Sequence, residues 1–167
     1  ARDEWPDRIS RLGRMVDPLF LSRFAAMFRG STAGPEKPLF NLWLELLGSG
    51  NHKPEQRVKV LERRWPKVWK AVLKLPSSTY RGVRARCIAG EVLLEGYEPP
   101  RALAELVIEE ERLIAQRPAR NPEAVFLVHR LHCVASELSL RCELPPLESL
   151  SDGLLPLREI PRALRVL

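Results

Sequence analysis

The chain has 167 residues, 45% of them hydrophobic and 29% charged, with a formal net charge of +6. That length suits one domain, long enough to bury roughly two-thirds of the surface its unfolded chain would expose, and the composition excludes a disordered chain. No run reaches the roughly 18 consecutive apolar residues of a membrane-spanning helix, and the N-terminal ARDEWPDR is too charged for a secretory signal.

The expectation is therefore an intracellular protein, cytoplasmic or at the nucleoid or nucleus, with no membrane partner. Cys87, Cys133 and Cys142 are odd in number and irregular in spacing, which fits reduced thiols. Ala stands first, which fits either removal of an initiator Met or excision from a longer chain.

The first fifteen residues hold Trp5, Pro6 and a short charged pattern around Ile9 and Leu12. Asp17 and Pro18 then form an N-cap and first helical position, and Leu19, Phe20, Phe24, Met27 and Phe28 give an apolar face before Gly30 ends the helix. After the loop GSTAGPEK, Pro38 opens a helix with Leu39, Leu42, Trp43, Leu46 and Leu47 at helical spacing, stopped by GSGN. Pro54 opens the next, through about Arg64. There Trp65-Pro66 is expected to break the chain, because proline removes a helical donor and pushes its predecessor away from helical angles. A separate helix from Pro66 to Leu75 follows, with Val68, Trp69, Val72 and Leu75 inward.

Pro76 punctuates the chain again, and Ser77 or Ser78 is expected to cap a helix reaching about Gly96. The loop EGYEPP leads to a helix over Ala102–Arg117, apolar at Leu103, Leu106, Val107, Leu113 and Ile114. Its glutamates Glu105, Glu109, Glu110 and Glu111 are expected to face solvent, with Glu109 and Arg112 forming a helical pair. Asn121, Pro122 and Glu123 mark the start of the most apolar helix, Asn121–Leu140, as N-cap, first-position proline and first-turn acid. Ala124, Leu127, Val128, Leu131, Val134, Ala135 and Leu138 share one of its faces, and Val125, Phe126 and Cys133 make the other apolar as well. A helix apolar around most of its circumference is buried among others, so this one is expected at the centre of the domain.

Beyond it the chain is rich in proline and leucine. The resulting expectation is an all-α fold, a single-domain orthogonal bundle of six to eight helices over residues 1–144. Residues 145–167 form a C-terminal strap across it with a short helix near Pro161–Val166, or else a docking segment for a partner. No internal repeat of 20–50 residues is evident.

Charge is the main functional signal. Between Lys53 and Arg86 eleven basic residues stand against Glu55 and Glu62, a net +9, so the rest of the chain carries about −3. Lys67, Lys70 and Lys74 fall on one face of a helix, opposite Val68, Val72 and Leu75, and Arg81 and Arg84 are similarly spaced at the start of the next. Several cations presented together are what a phosphate backbone requires. The candidate nucleic-acid contacts are Arg57, Arg63, Arg64, Lys67, Lys70, Lys74, Arg81 and Arg84, on a unit related to a helix-turn-helix. Trp65 and Trp69, four apart, are placed either to stack on bases or to fill the core. The bland reading of the basic run is a solvated face.

No catalytic or cofactor signature emerges. His129, His132 and Cys133 have the spacing of metal ligands but point in different directions, with Cys142 alone in reach as a fourth, and no CxxC pair exists. Nothing local activates a cysteine as nucleophile, and Gly48-Ser49-Gly50 lacks the lysine and the strand of a phosphate loop. The sequence thus points to a non-enzymatic nucleic-acid-binding domain, DNA or RNA, with no catalytic residue, metal or cofactor. The alternative is an adaptor that docks on an acidic protein or on itself. It would use the basic surface, pairing with Glu98–Glu111, or the apolar C-terminal segment.

Overall fold

A computed structural model describes residues 36–48, 53–95, 98–116 and 122–150. The elements expected before residue 36, the Asn121 cap, and the strap and short helix after residue 150 lie outside the described residues. Among the described residues the fold is all-α and contains five helices, fewer than the six to eight expected: α1 (Lys37–Gly48), α2 (Pro54–Leu73), α3 (Tyr80–Leu94), α4 (Arg101–Gln116) and α5 (Pro122–Arg141).

Helix α1 lays Leu39, Phe40, Leu42, Trp43 and Leu46 into the core, a helical repeat that faces α2. Helix α2 corrects the expectation of a break at Pro66, since one helix runs from Pro54 to Leu73 with Pro66 inside it. Proline at that position deprives the Glu62 carbonyl of its helical donor. Both residues lie on the exposed side, where water can take the freed carbonyl. On the opposite side Leu61, Trp65, Val68, Trp69 and Val72 are all buried. The core therefore holds the helix on both sides of the proline, and the two expected helices merge into one.

A turn after Leu75 leads to α3, whose cap is Thr79 rather than Ser77 or Ser78. Thr79 Oγ1 accepts from Gly82 N at 3.1 Å and donates to Pro76 O at 2.7 Å. Eleven of the fifteen residues of α3 are buried, among them the charged Arg86 and Glu91. Helix α3 packs against all four other helices, whereas α5 packs chiefly against α3 and α4. The centre of the domain is thus α3, with the apolar α5 as its largest neighbour.

Small residues make this possible. Gly82, Ala85, Ala89 and Gly90 keep α3 thin, and a Cβ added at Gly90 would stand 2.4 Å from Val134 Cγ1 and 3.3 Å from Val107 Cγ1. Gly90 therefore sits where α4 and α5 both close on α3.

Helix α5 ends in two bonds, Leu144 N to Ser139 O at 2.9 Å and Glu143 N to Leu140 O at 3.3 Å, about a left-handed Glu143 at φ 54°. Ser139 Oγ then donates toward Pro145 O at 2.8 Å, and Leu150 packs against the core that the five helices share.

Candidate nucleic-acid interface

The eight cations singled out in the sequence divide by residue type. The arginines all have partners within the chain. Arg57 Nη1 donates to Glu95 O at 3.1 Å, tying the first turns of α2 to the end of α3. Arg63 and Arg64 both reach Glu45 of α1, each at 3.2 Å. Arg81 and Arg84 converge on Glu36, at 3.3 and 3.1 Å, and the Glu36 side chain is fully buried. Arg84 also lies over the Tyr80 ring, 5.5 Å from its centroid, and is itself only 14% exposed.

Expected as parts of an open basic surface, Arg57 and Arg84 are instead built into the fold. Arg86 goes further. It is buried, with Nε 2.8 Å from Glu110 Oε1 and Nη1 donating to Leu75 O at 3.0 Å and Gly82 O at 2.8 Å. The guanidinium's several fixed donors suit it to such multiple anchoring.

The lysines are different. Lys67, Lys70 and Lys74 are exposed, and among the described residues none of their side chains forms a hydrogen bond or ion pair. Lys59 is exposed in the same way, and helical spacing puts it with Arg63 on the same outer line. Lys59, Arg63, Lys67, Lys70 and Lys74 run along the side of α2 directly opposite Leu61, Trp65, Val68 and Val72. At 1.5 Å per residue the row is ~22 Å long. Its backbone is held in place by the buried face, so the cations are presented on a rigid support.

Trp65 and Trp69 belong to that buried face. They are 1% and 8% exposed and stack on each other with centroids 5.8 Å apart, so neither ring is open to a base.

The remaining candidate chemistry is absorbed into packing. His132 Nδ1 lies 2.8 Å from Glu111 Oε1, and Cys133 is exposed on another side of α5. Among the described residues no group of three or more His, Cys, Asp or Glu side chains comes together as a metal site.

The acidic face expected on α4 is also corrected. Glu111 is buried against His132, and Glu110 is mostly buried against Arg86. Glu105 and Glu109 do face solvent, paired with Arg101 at 3.2 Å and Arg112 at 2.6 Å. Consecutive glutamates fall on both sides of a helix, and those turned toward α3 and α5 meet Arg86 and His132 there.

Cys87 is buried and donates to Leu127 O at 3.2 Å. Burial pushes its thiol pKa far up, outweighing the nearby Arg130, so no nucleophilic thiolate is available there. Partial burial moves the Cys142 thiol in the same direction. An open cavity lined by Ser77, Ser78, Leu113, Ile114 and Gln116 carries no titratable group.

Sequence reasoning missed Glu36 and Glu45 as the carboxylates that claim four of the arginines. They lie 18 to 48 residues away in sequence, and no local spacing signals such pairs. Compared with known proteins, the chain matches no family model, no curated protein and no solved structure.

Proposed function

We propose that the protein is a non-enzymatic nucleic-acid-binding domain that uses the outer face of α2. The observation that carries this reading is the row Lys67, Lys70 and Lys74: three cations on one exposed face, with no partner among the described residues to neutralise them. Fold-supporting charge in this domain is consistently paired, as with Arg86 and Glu110 or Arg130 and Glu91. An unneutralised row is what a polyanion with many phosphates would meet, releasing its counterions on contact. The site of action would be intracellular, in the cytoplasm or at the nucleoid or nucleus.

The paired reversal Lys67→Glu, Lys70→Glu tests it. Binding to labelled nucleic acid at low salt is expected to disappear while the far-ultraviolet circular dichroism stays unchanged. Retained affinity in the folded variant removes the proposal.

One observation favours the adaptor as a second reading. Leu106 and Leu113, 40% and 48% exposed, stand two turns apart on one side of α4, a small apolar strip of the kind that partners cover. Self-association through it would give an oligomer that Leu106→Glu with Leu113→Glu dissociates, read by light scattering. A monomeric wild-type chain would exclude self-association. The basic-to-acidic form of that reading is weakened, because Glu105, Glu109 and Glu110 each already face an arginine and Glu111 is buried against His132.

A further inference from the structure

We infer that the ligand of the α2 face is the phosphate backbone of a double-stranded nucleic acid, bound without reading its bases; this rests on the nucleic-acid reading above.

Three features of the face point there. The first is that no open stacking platform stands among the described residues. Single strands are held by basic grooves combined with aromatic rings on which bases stack. Among the described residues Phe40, Trp43, Trp65, Trp69 and Phe126 are all buried, and Tyr80 is half-buried beneath Arg84.

The second is the engagement of most base-reading arginines of the region. Bidentate recognition of a base edge needs an arginine, asparagine or glutamine free to present its fork. Arg57, Arg64, Arg81 and Arg84 are committed to Glu95 O, Glu45 and Glu36, and Arg63 also reaches Glu45. Apart from Arg63, whose side chain stays 68% exposed beside Glu45, the cations of the row are lysines, point charges that suit a phosphate oxygen and carry no base specificity.

The third is shape. The row lies along the exposed side of one helix, directly opposite its buried face. A duplex offers one charge per about 1.7 Å of axis, twice the line density of a single strand. A straight row of lysines ~22 Å long meets phosphates on a duplex in any register, whereas a flexible single strand would have to be ordered along it with no stacking in return.

The test uses the whole chain and labelled oligonucleotides: two duplexes of unrelated sequence and their separated strands, followed by fluorescence anisotropy over a series of salt concentrations. The expected result is equal affinity for the two duplexes and at least tenfold weaker binding of the single strands. The logarithm of affinity should fall against the logarithm of salt with a slope of about −4, as four or five phosphate contacts give. Each of Lys67→Gln, Lys70→Gln and Lys74→Gln should reduce that slope by about 0.9, with the circular dichroism unchanged.

Tighter binding of single strands, or a tenfold preference between the duplexes, overturns the backbone-only inference and leaves the nucleic-acid reading standing. Failure of both duplexes and strands to bind at low salt, or an undiminished slope in the folded triple glutamine variant, overturns both. Displacement of the duplex by an equal charge of polyglutamate would do the same, and assign the face to an acidic protein.

Discussion

Helix α3 and the outer face of α2 draw their cations from one stretch of chain, Lys53 to Arg86, yet put them to opposite uses. On α3, Arg81 and Arg84 close on the buried Glu36, and Arg86 spans Glu110 and two carbonyls inside the domain. On α2 the row Lys67, Lys70 and Lys74 meets nothing among the described residues.

Position decides the difference. Helix α3 is surrounded by four others, so a long charged side chain leaving it runs into protein and must find a carboxylate or carbonyl, because an unpaired buried charge is costly. Helix α2 has one face in the core and the other in water, where a lysine needs no partner. Charge on the surrounded helix thus becomes structure, and the lysines on the outer face of α2 stay available to a ligand.

Five measurements break or sharpen this contrast. The largest effect is expected from the thiols. Cys133 is exposed and Cys87 buried, so an alkylating reagent at pH 8 should label Cys133 at once and Cys87 only through unfolding. That is a rate difference of about a thousandfold or more, given ordinary domain stability. Fast labelling of Cys87 in the folded chain would show that the α3 environment is open.

The same residue sets a pH dependence. Its folded pKa is raised by burial, so the folded state holds a proton that the unfolded chain gives up. The associated stability is present below the ordinary thiol pKa and falls as pH rises above it. Cys87→Ala should abolish that alkaline decline in urea titrations.

Next in size is Arg86→Ala, which strands Glu110 and two carbonyls. A cost of about 3 kcal/mol or more is expected in urea denaturation. A loss too small to measure would mean that the internal charges of α3 are not structural. Gly90→Ala should follow, at about 1–3 kcal/mol, with Val134→Ala in the same chain recovering part of it by removing the methyl group 2.4 Å from the new Cβ.

The smallest effect belongs to the triple change Lys67→Gln, Lys70→Gln, Lys74→Gln. Its urea midpoint should match the wild type, as for other exposed substitutions away from special features. A destabilisation comparable to that of Arg86→Ala would erase the distinction between the two surfaces.

What was legible in the sequence is what depends on neighbours three and four residues apart. The spacing of Leu39, Leu42, Trp43 and Leu46, of Val107 and Ile114, and of Leu127, Leu131, Val134 and Leu138 identified helices and their inner faces. The same rule put Lys67, Lys70 and Lys74 on one line, because helical geometry alone fixes that alignment.

The sequence by itself determined the helical class, most helix positions and the concentration of positive charge. Only the tertiary structure decided that α2 runs through Pro66, where the opposite face is anchored by Trp65 and Trp69 and the orphaned carbonyl lies on the exposed side. It alone made α3 the centre, since a helix bearing Arg81, Arg84, Arg86 and Glu91 looks like a surface helix until its partners are known. It alone separated engaged arginines from open lysines, because a buried ion pair joins residues distant in the chain and leaves no periodic trace in either.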